Sequence, residues 1–188
     1  DITRVVESWK RSVDRIMVFV DSKSSAECIR QINAIKGISV SFIRFEDFSQ
    51  ARNLCLDLAH DLRFKWTCFM DDSYELIGTL DELDSLDTKM VNVLINDLVI
   101  QYHRPLVFQT ACKFRYTGKI HESIEFSGQV GTLLNCSIYD RKTTASFKRS
   151  LDRAWYMINN TDSVHYKSLG YFQLFATDKI NLRTFVQN

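Results

Sequence analysis

The sequence predicts an α/β fold in which a mixed, mainly parallel sheet is flanked by helices. Two observations carry this. Short β-branched apolar runs alternate with amphipathic stretches from Ile16 to Met70, and carboxylates follow two of those runs directly, at Asp21 and Asp71. Alternating strands and helices form parallel sheets, and such sheets bind ligands beyond the carboxyl ends of their strands.

The first run, IMVFV from Ile16 to Val20, is too short for a helix and apolar throughout, as a strand covered on both faces is. Ser24 followed by Glu27 makes a capping box, Ile29, Ile32 and Ile35 recur at helical spacing, and Gly37 supplies the stop. ISVSFI, residues 38–43, reads as a second strand. Ala51, Leu54, Leu58 and Leu62 then put an apolar stripe on a helix that starts near Ser49, and WTCFM at 66–70 is a third strand. Right-handed crossovers are expected between these strands. The pattern then changes. KMVNVLI and LVIQYH flank Asn96-Asp97, and LVFQT follows Arg104-Pro105, which reads as strands joined by short turns. Phe147, Leu151, Ala154, Trp155 and Ile158 mark a later amphipathic helix expected to pack on the sheet.

With 188 residues, 45% of them hydrophobic, and with neither repeats nor a linker, one domain over 1–188 is expected. The formal charge of +1 provides no overall field to draw the protein to nucleic acid or anionic lipid. Five cysteines, an odd number without a CxxC pair, read as reduced thiols. No apolar stretch is long enough to span a membrane, and DITRVVESWKR has no signal-peptide core, so a soluble, cytoplasmic protein is expected. The chain starts at Asp1 rather than methionine, so further residues are expected upstream.

Three segments carry chemistry. In FMDDSYEL at 69–76 an apolar strand delivers Asp71, Asp72 and Ser73 at its end. Mg²⁺ and Mn²⁺ prefer such oxygen ligands and typically add phosphate oxygens of a substrate, although a polar turn leaving a strand has the same composition. In FEDFSQARN at 45–53, Arg52 and Asn53 lie at a helix amino end, where backbone donors and a guanidinium fork suit an anion, as a solvated first turn also would. In RYTGKIHESIEF at 115–126, His121 and Glu122 follow a glycine turn and point to opposite faces if extended. A carboxylate there could take a proton from a hydroxyl; a surface pair on an edge strand is the other reading.

In this order the segments resemble the inverting family 2 glycosyltransferases of the GT-A (Rossmann-like) fold. Asp47-Phe48-Ser49-Gln50-Ala51-Arg52-Asn53, then Asp71-Asp72-Ser73, then His121-Glu122 are similar to that family's helix start, its DxD motif and its histidine-glutamate pair. The likeness runs from about residue 14 to about 155 and includes Val20-Asp21-Ser22. It implies donor-binding roles for Asp21, Ser22, Arg52, Asn53, Asp71 and His121, a metal-bound diphosphate at Asp71, Asp72 and Ser73, and Glu122 as base with Asp72 as its substitute. Ser73 stands where the family carries its last acid, which puts dependence on Mn²⁺ or Mg²⁺ in doubt. The implied activity is transfer of a sugar, with inversion, from a nucleotide-diphosphate donor, UDP-linked by expectation, to a glycan or glycoprotein hydroxyl. The chain is also similar to compact glycosyltransferase domains that decorate viral capsids, which implies a hexose or deoxyhexose, a viral glycan acceptor and the host cytoplasm. The alternatives are a sugar nucleotidyltransferase, whose Gly-rich opening loop is not found here, and a degenerate nucleotide-sugar-binding module.

Overall fold

The computed structural model describes residues 2–97, 101–118 and 123–141, together with 152, 155 and 159. The chain divides into two compact units, Asp1–Arg141 and Lys142–Asn188. The first contains α1 (Ile2–Trp9), β1 (Ile16–Asp21), α2 (Ala26–Asn33), β2 (Ile38–Ile43), α3 (Phe48–Asp61), β3 (Trp66–Cys68), β4 (Tyr74–Gly78), β5 (Met90–Asn96), β6 (Gln101–Gln109), β7 (Tyr116–Thr117), β8 (Ser123–Ile124) and β9 (Val130–Asp140). In the second, Asp152, Trp155 and Asn159 are helical, and Asn159 Nδ2 donates to the Trp155 carbonyl over 2.9 Å. The rest of the helix expected over 147–158 lies outside the described residues.

The opening half keeps the expected order of strands and helices, but β1 and β2 form a two-stranded sheet of their own, and on α3 Leu56 and Ala59 are buried while Leu54 and Leu62 of the expected stripe are exposed. β1 and β2 pair in parallel from Ile16 opposite Ile38 to Asp21 opposite Ile43, with α2 as the crossover. Ser25, one residue beyond the expected cap, accepts from the Cys28 amide, while the Ser24 amide donates to the Asp21 carbonyl in the turn leaving β1. Gly37, at φ +76°, turns the chain into β2. Asp47 caps α3 by accepting from the Gln50 amide over 2.7 Å.

The main sheet is mixed, with strand order β3-β6-β5-β9-β4. β5 and β9 are parallel, whereas β3 with β6, β5 with β6, and β4 with β9 are antiparallel. The expectation of a mainly parallel sheet is therefore corrected to a mixed α/β architecture. Connection length explains the change: a parallel neighbour needs a crossover of about a dozen residues or more, and the link from β5 to β6 is far shorter. β6 runs through Pro105 where two strands were expected. Val91 faces Val107 and Asn92 faces Pro105, so Leu106 is the extra residue of a bulge where proline leaves the ladder short of a donor.

A second irregularity lies between β5 and β9. Two steps along β5, from Asn92 to Leu94, correspond to five along β9, from Thr132 to Ser137. The bulged amides of Leu134 and Asn135 are satisfied by Glu82 Oε2, at 2.9 and 3.4 Å. On β4 the same bulge meets Gly78, at φ +93°, where an added Cβ would lie 2.1 Å from the Asn135 carbonyl oxygen. The far edge of β4 is closed by α1, which the sequence reading does not anticipate. The Trp9 indole donates to the Tyr74 carbonyl over 2.8 Å, and the Leu76 amide donates to Ser8 Oγ over 3.0 Å. Val5, Val6 and Trp9 are buried in a core cluster with Ile16, Leu56, Phe69, Val93, Phe108 and Ile138.

All five cysteines are unpaired. Burial pushes the Cys55 thiol up to about 12, against the pull of the Arg52 charge, and the Cys136 thiol up to about 11; Cys68 is raised as well.

Two predictions arise from this packing. Gly78→Ala forces both a strained φ and a backbone clash, and should cost at least about 2 kcal/mol in urea unfolding. Because the thiolate is the reactive form, a thiol reagent at about pH 8 should leave Cys55, Cys68 and Cys136 unlabelled in the native protein and reach them on adding denaturant. Rapid native labelling at all three would contradict their burial.

Candidate functional site

The acidic segment after β3 is a tight turn. The Tyr74 amide donates to the Asp71 carbonyl over 3.0 Å, which puts Asp72 and Ser73 at the corner of a β-turn feeding β4. The two aspartates are exposed, whereas Ser73 is tied inward. Its hydroxyl donates to Asp140 Oδ1 over 2.6 Å, and its carbonyl accepts from the Arg141 amide over 2.9 Å. Asp140 is only 2% exposed, so this hydroxyl satisfies a carboxylate that water does not reach. Of the three sequence-predicted oxygen ligands, Asp71 and Asp72 face solvent, and Ser73 anchors the turn to the end of β9.

Arg52, near the start of α3, comes to this turn. Its guanidinium lies 3.5 Å from Asp71 Oδ1 and is stacked over two rings, 5.2 Å from the Phe69 centroid and 5.3 Å from that of Tyr116. Those rings meet edge to face at 5.4 Å. The Arg52 side chain is 11% exposed against 47% for Asp71, so the cation is recessed and its acidic partner stands at the opening. Aromatic faces attract a cation by about 0.5–1 kcal/mol in water and by more when desolvated, and they hold the planar guanidinium in one orientation.

The next residue serves the scaffold. Asn53 pairs with the Tyr116 backbone in both directions: its Nδ2 donates to the carbonyl over 3.0 Å, and its Oδ1 accepts from the amide over 2.8 Å. Ser49 donates to the Gly118 carbonyl. The first turns of α3 thus fasten residues 116–118 and fix the Tyr116 ring under Arg52. His121 and Glu122 fall between β7 and β8, outside the described residues.

Asp21 and Ser22 close the carboxyl end of β1. Asp21 Oδ1 accepts from the amides of Lys23 and Phe45, at 3.2 and 3.4 Å, and the Ser22 amide donates to the Ile43 carbonyl over 2.7 Å. Asp21 therefore holds the loop from β2 into α3, where Phe45 and Phe48 meet edge to face at 5.2 Å. The fold brings Arg52 and Asp71 into contact and keeps Asp21 at the head of the same helix.

Sequence reasoning misses the aromatic walls Phe69 and Tyr116, the buried Asp140, and Tyr74, whose hydroxyl accepts from Arg104 over 3.2 Å. Burial, reinforced by the Asp71 charge, raises the Tyr74 phenol well above its usual range, so it stays protonated at neutral pH. The available signal was the placing of Phe69 and Tyr74 on either side of the acidic pair. Among the described residues, no group of three or more His, Cys, Asp or Glu side chains gathers as metal ligands would, and no helix is long and apolar enough to cross a membrane.

Asn53→Ala should cost about 1–3 kcal/mol in denaturant unfolding, because it removes two hydrogen bonds and strands the Tyr116 backbone groups. A loss below a few tenths would mean that water replaces the amide.

No protein-family model matches this chain, and no curated protein matches it either.

Proposed function

We propose that the chain is an inverting glycosyltransferase of the GT-A kind, with a nucleotide-diphosphate sugar, UDP-linked by preference, as donor and a glycan or glycoprotein hydroxyl as acceptor. The carrying observation is that the recessed Arg52 guanidinium meets Asp71 at the end of β3, 3.5 Å away, although 19 residues separate them in the chain. The parallel β1-α2-β2 opening, a two-stranded sheet beside the five-stranded mixed one, supports the same reading.

In this reading Arg52 faces the diphosphate. Its stacked fork neutralises charge growing on the leaving group as the sugar carbon becomes cation-like, a form of stabilisation that needs no reorganisation because the rings already hold the donor groups in place. Asp71 and Asp72, the two exposed acids of the turn, would hold Mn²⁺ or Mg²⁺ together with the diphosphate, and the ion would supply further neutralisation there. With Ser73 committed to Asp140, Asp71 and Asp72 would be the side chains of this turn left to hold the ion. Asp21 lies toward the nucleoside, and Glu122 takes the proton of the acceptor hydroxyl. A binding module without transfer is the second reading, favoured by the engagement of Ser73.

A thermal-shift panel of nucleoside diphosphates and their sugars, with and without Mn²⁺, tests the reading. Ligand at about 100 times its Kd stabilises the native state by about 2.7 kcal/mol, so one base should stand out. Arg52→Lys keeps the charge but loses the fork and the stacking, and should weaken that binding about tenfold. Glu122→Gln should leave binding intact and slow transfer by about 10²- to 10⁴-fold. Absence of any shift across the panel would defeat the proposal; selective binding with no transfer to any acceptor would select the binding module.

A further inference from the structure

A second cleft opens beside α3, apart from the Asp71 turn. It is lined by the buried Leu56, Thr110 and Phe114, with Asp57, His60, Lys113 and Arg115 among its polar groups. The cavity measures about 90 Å³, room for roughly three water molecules at about 30 Å³ each. His60 is eight residues beyond Arg52 on α3, about 12 Å along the axis at 1.5 Å per residue. The cleft and the Arg52 site are therefore separate places on one helix.

Its polar groups are unequal. Arg115 is locked, donating to Asp57 and, over 3.2 Å, to the Phe114 carbonyl, so its charge is offset where it sits. Thr110 shares a hydrogen bond with Thr67 at 2.8 Å, and His60 Nδ1 lies 3.7 Å from Asp61 Oδ1. Lys113 has no acidic partner among the described residues. It also sits in the left-handed region, at φ 50° and ψ 44°, where its amide donates to the Thr110 carbonyl over 3.3 Å. That conformation closes the short 3₁₀ turn Thr110–Cys112. Counting Lys113 and Arg115 against Asp57, the lining carries one net positive charge with His60 neutral.

We propose that this cleft binds a small oxyanion of the phosphate or carboxylate type, with the exposed Lys113 supplying a positive charge at its edge and the Arg115–Asp57 pair shaping the rim. The cavity suits one such group, and its lining shares no residue with the donor site, so the proposal is independent of the donor reading.

Backbone amide shifts of the nitrogen-15-labelled full chain, titrated with potassium phosphate, acetate or chloride at matched ionic strength, test this. Saturable shifts at Asp57, His60, Lys113 and Arg115 with phosphate or acetate, and not with chloride, are expected; which of the two saturates first identifies the preferred oxyanion. Lys113→Gln should weaken that binding about tenfold, and Lys113→Arg should retain most of it. Equal, unsaturable drift with all three salts, full affinity in Lys113→Gln, or shifts centred on Arg52 and Asp71 would each overturn the proposal. None of these results bears on nucleotide binding at the other site.

Discussion

The arrangement at the head of α3 depends on how one guanidinium is held. Arg52 has a fixed plane because Phe69 and Tyr116 lie on it, and Tyr116 has a fixed ring because Asn53 grips its backbone from the same helix. The support is thus closed on itself: the helix that presents the cation also positions one of its walls. A long, flexible side chain would otherwise lose rotamer entropy on meeting an anion, and here that loss is taken on folding. Asp71, exposed to solvent, keeps the recessed charge partnered.

The turn beside it follows a different logic. Its corner contains two acids close in space, an arrangement that self-repulsion would loosen. The link from Ser73 to the buried Asp140 fixes the corner to β9, so the aspartates are displayed on a rigid element. Serine at this position reads in the sequence as the loss of a charge. In the fold it is a hydrogen-bond donor to a carboxylate that would otherwise stand buried with one partner fewer.

Much of the opening half was legible because its signals are local. Apolar runs bounded by Asp21 and Gly37 mark strands wherever their neighbours lie, whereas the stripe expected on α3 misses its buried face, where Leu56 and Ala59 are covered and Leu54 and Leu62 are exposed. Ser24 and Ser25 differ only in which side chain turns back to the helix, so composition could not separate them. α1 has the spacing of an amphipathic helix in Ile2, Val5, Val6 and Trp9, and reading that stretch only for an export signal misses it. Strand partners are another matter. β3 ends beside β6, some 40 residues away by register, through contacts that no window around residues 66–68 contains. The same holds for the candidate site: Arg52 and Asp71 were paired through the order of their segments, while Asp140 and Tyr116 approach only once the sheet is assembled.

The closure of β4 by α1 has a consequence for the chain's behaviour. An outermost strand offers unpaired backbone groups to any passing copy, which is how sheets recruit one another into aggregates. Here the Trp9 indole and the Ser8 hydroxyl occupy the outward carbonyl of Tyr74 and the outward amide of Leu76. α1 therefore covers an edge that would otherwise be a template for intermolecular strand addition, and because Val5, Val6 and Trp9 also fill the core beside Phe69, edge protection and core packing are lost together if it is removed.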